Sequence, residues 1–117
     1  MTTSNSIPPA PGEISHGQAF ELAGQVEYVA GSVVSRTLAK NPAGTIPLFA
    51  FDTGQGLSEH SAPYDAFVQV VDGVGTLRIA GKDVVARAGE ILVMPANIPH
   101  AVHANERFKT LLVMIRG

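Results

Sequence analysis

Beyond Gly31 the chain consists of short apolar runs separated by turn-forming residues, and no stretch there has room for a long helix. Runs of this kind, bounded by Gly, Pro, Asn and Asp, are typical of strands joined by hairpins in sandwiches and barrels. The predicted strands are Val33–Leu38, Thr45–Phe51, Ala66–Val71, Gly75–Ala80, Asp83–Ala86, Glu90–Met94, His100–His103 and Lys109–Arg116. The sequence therefore predicts an all-β fold, a small antiparallel barrel.

The pattern within the runs indicates how each strand is covered. Residues 76–85 alternate polar and apolar side chains around a tight turn at Gly81, which predicts a hairpin half exposed to water. Phe67–Val71 and Leu111–Ile115 are almost entirely apolar, which predicts strands covered on both faces. The pair Asp72-Gly73 is predicted to form a turn between two strands.

The N-terminal region differs from the rest. Residues 1–13 are polar and rich in Pro, so they cannot bury enough apolar surface to offset the entropy of ordering and are predicted to form a flexible tail. Residues 16–30 fit either a short turn or an extended arm. We therefore divide the chain into a tail and arm, residues 1–30, and a barrel, residues 31–117.

Composition excludes several classes of function. The chain carries 8 Lys and Arg against 10 Asp and Glu, and no basic cluster is present to neutralise a line of phosphates, so nucleic acid is not an expected partner. No apolar run approaches the roughly 20 residues needed to cross a bilayer, and the expected location is the cytoplasm. The chain has no Cys, so any metal would bind through His and carboxylate side chains.

Two segments carry a recognisable spacing. The first is Gly54-x5-His60 followed by Gly73, and the second is Gly89-x5-Pro95-x-Asn97-x2-His100. Together they resemble the two motifs of the cupin family, and the resemblance extends over about residues 33–117. It implies a double-stranded β-helix, or jelly-roll barrel, in which the two motifs face each other across a pocket. Cupins of this size usually dimerise.

The resemblance also implies a metal site, which this chain retains only in part. The family typically holds a divalent ion with three His and one Glu; here the matching positions are His60, Ala62, Ala66 and His100. One Fe, Mn, Ni or Zn ion would thus be held by His60 and His100 alone. Two imidazoles make a weak site, because affinity rises with the number of ligands. A pocket without metal is favoured.

Asp65 precedes the vacated Glu position by one residue, and two orientations of its side chain remain open. Regular strand alternation points it away from the pocket. A bulge would turn it inward and complete a set of two His and one carboxylate. Glu59 and His103 are each expected to face away from the pocket. The candidate pocket residues are therefore His60, Asp65 and His100.

Three functions are compatible with these residues, and the sequence does not decide between an enzyme and a sensor. The preferred interpretation is a small single-domain cupin that binds a small molecule between His60 and His100. The alternative is a metal-dependent cupin enzyme, of isomerase or dioxygenase type, acting on a small organic acid or sugar derivative. A third hypothesis is metal-free acid–base catalysis by the two imidazoles.

A homodimer is also expected from the residues of this chain, in addition to the resemblance. The apolar strands Val33–Leu38 and Thr45–Phe51 need more cover than one small barrel offers.

Overall fold

The computed structural model describes Ile14 and residues 16–116 of the 117-residue chain. In this part of the chain a 3-10 turn at Ala23–Gln25 is followed by eight strands, and no helix is long and apolar enough to cross a membrane. The strands are β1 (Val33–Asn41), β2 (Gly44–Phe51), β3 (Gly56–His60), β4 (Ala66–Ile79), β5 (Lys82–Arg87), β6 (Ile91–Met94), β7 (His100–His103) and β8 (Phe108–Ile115). The predicted all-β fold is confirmed. The predicted flexible tail, residues 1–13, lies outside the described residues.

Two antiparallel sheets share the long strand β4. The first half of β4 pairs with β8 and β6, which gives the order β1–β2–β8–β4–β6. The second half pairs with β7 and β5, which gives the order β3–β7–β4–β5. The inner faces of the two sheets enclose one core, as in a jelly-roll barrel.

Strand β4 corrects one prediction. The sequence predicted two strands separated by a turn at Asp72-Gly73, but the strand runs without interruption from Ala66 to Ile79. The register on β8 shifts between Val70 and Asp72, and Gly73 has a φ of 72°, so the pair forms a bulge that bends the strand from one sheet into the other. A glycine signals a positive φ equally well for a bulge and for a hairpin turn.

Strand β3 was missed by the sequence analysis. Its five residues, Gly56–His60, contain one large apolar side chain, Leu57, and the last three are exposed. A strand this short and polar shows no clear alternation of apolar and polar residues in the sequence. In the structure it is held by its pairing with β7.

The main core lies between the sheets. Its largest fully buried side chains include the stacked rings of Phe51 and Phe108, whose centroids are 4.9 Å apart. Val68, Val70 and Leu77 of β4 pack in the same cluster. Burial of apolar side chains such as these stabilises the fold by roughly 1.5–3 kcal/mol each.

A second apolar cluster lies on the outer face of the β1–β2–β8–β4 sheet, where residues 16–32 pack as an arm. Val26 of the arm packs in one cluster with Leu48 and Ala50 of β2, and both of these residues are fully buried. Polar contacts hold the arm in place: Lys109 Nζ donates to the Ala23 carbonyl over 2.6 Å, and the Tyr28 hydroxyl donates to Asp72 Oδ2 over 2.5 Å. The outer face of this sheet therefore receives cover from the chain itself.

Candidate ligand-binding site

A bulge in β3 brings the two predicted pocket histidines together. Leu57 is opposite Val102, but the register then shifts by one residue and His60 is opposite His100. Without this shift Glu59 would be the cross-strand neighbour of His100, and strand alternation would point His60 to the outer face. The bulge therefore decides which of two adjacent polar residues faces the pocket.

Hydrogen bonds to the backbone orient both imidazole rings. His60 Nδ1 lies 2.9 Å from the Ser58 carbonyl oxygen, and His100 Nδ1 lies 3.1 Å from the Ile98 carbonyl oxygen. A carbonyl oxygen only accepts, so each Nδ1 carries a proton and donates it. The Nε2 atoms are then left as the ring nitrogens available to a ligand.

The two Nε2 atoms lie 3.2 Å apart, and the rings meet edge to face at a centroid distance of 4.4 Å. When both rings are neutral, each Nε2 presents a lone pair, and two lone pairs at this distance repel. The contact becomes favourable when a positive group or a hydrogen-bond donor approaches both nitrogens. A hydrogen-bond donor placed between the two Nε2 atoms would relieve this repulsion.

The two histidines differ in their surroundings. His100 is 3% exposed, whereas His60 is exposed to solvent. Burial lowers the pKa of His100 below its ordinary value, and the neighbouring His60 lowers it further, against a smaller opposing effect of the hydrogen bond to Ile98. His100 therefore favours its neutral form more strongly than a histidine in water.

A cavity of about 260 Å³ opens beside the pair. Its polar lining consists of His60, Ser61, Tyr64 and His100, and no Lys, Arg, Asp or Glu of the described chain lines it. Its apolar lining consists of Leu57, Ala62, Pro63, Ala66, Met94, Val102, Leu112 and Met114. The cavity is thus an apolar enclosure with a few polar groups at one side, a composition that small-molecule pockets often have.

Asp65 is not brought into this cavity. Its side chain is exposed, and Oδ1 accepts a hydrogen bond of 2.8 Å from the Ala96 amide. The Asn97 amide donates to the Ala62 carbonyl over 2.7 Å, so two bonds join the loop after His60 to the loop before His100. Asp65 thus connects two walls of the cavity from outside, a role that the sequence analysis missed.

The other candidate residues also lie outside the cavity. Glu59 and His103 are exposed, and neither contributes to the lining. Asn97, in the loop before His100, has a φ of 64°, a left-handed conformation that Asn tolerates better than most residues. Ser61 and Tyr64 do line the cavity; Ser61 directly follows His60, and Tyr64 lies four residues after it.

The residues at the cavity do not complete a metal site of the type that the resemblance implied. Ala62 and Ala66 face the cavity where that type has ligands, and among the described residues no three His, Cys, Asp or Glu side chains are grouped so as to hold an ion. His60 and His100 each donate a hydrogen bond from Nδ1 to a backbone carbonyl, as metal-binding histidines usually do with the ring nitrogen that does not bind the metal. Two protein ligands alone nonetheless leave most of the coordination sphere to other groups.

Comparison with known proteins agrees with the geometry. The sequence-family model described as the cupin domain matches residues 47–115, which include both histidines and strands β3 to β8. The chain therefore belongs to the cupin family. Among proteins with curated descriptions, none matches the chain significantly.

Several solved structures are similar to this chain. A conserved protein of unknown function from Streptococcus pyogenes is 35% identical, with a TM-score of 0.85 over 89% of this chain and 91% of that one. A cupin 2 conserved barrel domain protein from Leptotrichia buccalis is 43% identical, with a TM-score of 0.80 over 83% of this chain and 47% of that one. A cupin superfamily protein from Desulfitobacterium hafniense, 24% identical with a TM-score of 0.83, covers 89% of this chain and 95% of its own. These likenesses define the fold as a double-stranded β-helix.

Proposed function

We propose that this chain is a small-molecule-binding cupin whose ligand occupies the cavity beside His60 and His100. The observation that carries the proposal is the paired imidazoles, whose Nδ1 atoms are occupied by the Ser58 and Ile98 carbonyls. Their Nε2 atoms form the polar side of an otherwise apolar enclosure. His100 is buried, and its Nε2 lies 3.2 Å from the Nε2 of the exposed His60, so both nitrogens point to the same side of the cavity.

The lining determines the chemistry of the ligand. No Lys, Arg, Asp or Glu of the described residues lines the cavity to compensate an ionised ligand, and burial lowers the pKa of His100, which favours the neutral form of that ring. The ligand is therefore an uncharged, largely apolar molecule that donates a hydrogen bond from a hydroxyl or amide group. If each water-sized group takes about 30 Å³, the cavity holds roughly nine non-hydrogen atoms.

Methionine methyl groups provide a direct test. The chain has three methionines, and two of them, Met94 and Met114, line the cavity. Protein labelled with 13C at the methionine methyl groups is titrated with benzyl alcohol and with benzoate, which differ mainly in charge. We expect benzyl alcohol to shift the Met94 and Met114 signals and benzoate to bind at least tenfold more weakly.

Two variants test whether the shifts arise from binding in the cavity. Ala62→Leu fills the cavity and is expected to abolish the shifts, whereas Ala88→Leu changes an exposed residue outside it and should leave them unchanged. If a broader set of neutral fragments of this size also fails to shift either methionine, the cavity is not a ligand site. Equal shifts in the Ala62→Leu variant would place binding elsewhere.

The alternative function is a metal-dependent enzyme of isomerase or dioxygenase type acting on a small organic acid or sugar derivative. The orientation of the two Nε2 atoms supports it, and the alanines at positions 62 and 66 argue against it. Elemental analysis of untagged protein beside a His60→Ala, His100→Ala double variant separates the two. About one Fe, Mn, Ni or Zn per chain, lost in the variant, would favour the enzyme.

Metal-free acid–base catalysis is supported by one observation. Burial lowers the pKa of His100, which favours the neutral form that can accept a proton. We also expect the protein in the cytoplasm, without nucleic acid or membrane partners, because of its balanced charge and its lack of a long apolar run.

A further inference from the structure

The outer face of the β3–β7–β4–β5 sheet carries a second cavity, of about 340 Å³, which we call the outer cavity. Side chains alternate between the two faces of a strand, so β7 directs His100 and Val102 to the inside of the barrel and Ala101 and His103 to the outer face. Strand β7 therefore forms a wall between the outer cavity and the cavity beside the two paired histidines.

The lining of the outer cavity is mainly polar. Thr76 lies between its cross-strand neighbours His103 and Val85 and is only 9% exposed, although it points to the outer face of the sheet. Its hydroxyl oxygen accepts a hydrogen bond of 3.2 Å from Asn105 Nδ2, which leaves the hydroxyl proton to be donated. The side chains with hydrogen-bonding groups that line the outer cavity are Thr76, Arg78, Asp83, His103 and Asn105.

Arg78 and Asp83 form an ion pair across the β4–β5 hairpin, with 3.2 Å between Arg78 Nε and Asp83 Oδ1. Both side chains are more than half exposed, and an ion pair of this kind contributes little to stability. The pair uses one nitrogen and one oxygen, so the terminal nitrogens of Arg78 and Oδ2 of Asp83 have no partner among the described residues. The ring of His103 also makes no hydrogen bond within the described part of the chain. Several donors and acceptors therefore remain available to a bound molecule.

We propose that the outer cavity binds a neutral molecule with several hydroxyl groups and the size of a monosaccharide. A hydroxyl group both donates and accepts hydrogen bonds, so such a ligand matches a lining in which the donors of Arg78 lie beside the acceptor Asp83. The opposite charges of these two side chains cancel, so the lining does not favour an anion or a cation. If each water-sized group takes about 30 Å³, the outer cavity holds roughly eleven non-hydrogen atoms.

This site is separate from the ligand site proposed above. The cavity beside the two histidines is an apolar enclosure with its polar groups at one side, whereas the outer cavity is polar on most of its lining. Val102 lines both cavities. The sequence predicted a hairpin half exposed to water over residues 76–85, and it is the exposed side of this hairpin that supplies Thr76, Arg78 and Asp83.

Titration with neutral and charged sugars tests the proposal. The full-length chain, labelled with 15N and at the methionine methyl groups with 13C, is titrated to about 10 mM with glucose, mannose and galactose, and with the uronate and the amino sugar of each ring. We expect at least one neutral sugar to shift the backbone amide signals of Thr76, Ala101 and His103, and its two charged counterparts to bind at least fivefold more weakly. The methyl signals of Met94 and Met114 should not move, because these residues line the other cavity.

Two variants test whether the sugar occupies the outer cavity. Arg78→Gln removes the guanidinium group and is expected to weaken binding at least tenfold. Arg87→Gln is the matched control, because Arg87 is an exposed arginine of the same hairpin that does not line the outer cavity, and it should bind as the unmodified chain does. Ala101→Leu fills the outer cavity and should abolish the shifts. Amide signals outside the cavity show whether each variant keeps its fold.

Four results would overturn the proposal. They are the absence of outer-cavity shifts with every neutral sugar, tighter binding of a uronate or an amino sugar, an equal loss of binding in Arg78→Gln and Arg87→Gln, and shifts confined to Met94 and Met114. The last result would place the sugar in the cavity beside the two histidines. The response of the two methionines to benzyl alcohol does not enter this test, so failure of the outer site and failure of the proposed function are distinguishable.

Discussion

His60 and His100 contribute to the site in different ways because one ring is exposed and the other is buried. The buried His100 ring is fixed by the Ile98 carbonyl and by the surrounding cavity wall, so its Nε2 has a defined position. The exposed His60 ring is held by the Ser58 carbonyl at the solvent side of the cavity. We infer that His100 orients a ligand, whereas His60 completes the polar side of the cavity from the solvent edge.

The carboxyl group of Asp52 makes the stability of the fold depend on pH. Its Oδ2 accepts a hydrogen bond of 2.8 Å from the Gly31 amide, and Arg107 lies 3.2 Å from Oδ1. The bonds from the Gly31 and Thr53 amides, and then Arg107, lower the pKa of this carboxyl below its ordinary value. The folded state therefore gives up the proton more readily than the unfolded state does.

The sign of the pH effect follows from linkage. A lowered carboxyl pKa contributes stability that is present above the ordinary Asp value and is lost as the pH falls through the lower folded-state value. We expect Asp52→Asn to be less stable than the unmodified chain at neutral pH, with the difference shrinking as the pH falls below the ordinary Asp pKa. Urea unfolding across this range measures it, and a difference that stays constant with pH would contradict the assignment.

At the scale of elements, the bulge at Gly73 connects the two sheets. An alanine there would adopt a positive φ, and its Cβ would collide with the Arg107 carbonyl oxygen. We expect Gly73→Ala to lower the free energy of unfolding by about 2–4 kcal/mol.

Gly89→Ala is the matched variant for this prediction. It also imposes a positive φ of 91°, but its Cβ would meet nothing within 4 Å, so it should cost only about 1 kcal/mol. Equal losses of stability in urea unfolding would show that the backbone angle, rather than the close approach to β8, dominates at Gly73.

The two loops beside the cavity are joined by Asp65. Asp65→Ala removes the acceptor of the Ala96 amide, so we expect hydrogen exchange at Ala96 to accelerate and the loop before His100 to open more often. Asp65→Asn keeps an oxygen in place and should retain most of the protection. Identical exchange rates in the two variants would show that charge, rather than the hydrogen bond, holds the loop.

At the scale of the whole molecule, the arm is packed as part of the fold although the sequence placed a boundary at residue 31. Removing residues 1–30 would expose Leu48 and Ala50, which are fully buried in the structure. We expect the remaining chain, residues 31–117, to have a lower thermal midpoint and a greater tendency to aggregate.

Removal of residues 1–13 alone is the control for this truncation. This shorter truncation keeps Val26, Tyr28 and their contacts with the sheet, so its thermal midpoint should stay near that of the full chain. If the longer truncation is equally stable, the boundary at residue 31 describes an independent barrel, and the arm contributes little.

Much of this molecule followed from the sequence alone. The apolar runs and their turn residues predicted an all-β barrel because strand period and turn chemistry are local properties of the chain. The spacing of two motifs around His60 and His100 indicated the family to which the chain belongs.

The tertiary structure decided what depends on pairing between distant strands. The Asp72-Gly73 pair became a bulge instead of a turn, because its conformation depends on β8, which lies far along the chain. A one-residue shift against β7 selected His60 over Glu59, and the Ala96 amide held Asp65 outside the cavity. A one-residue change of register reverses the face of every following side chain, and no local pattern records it.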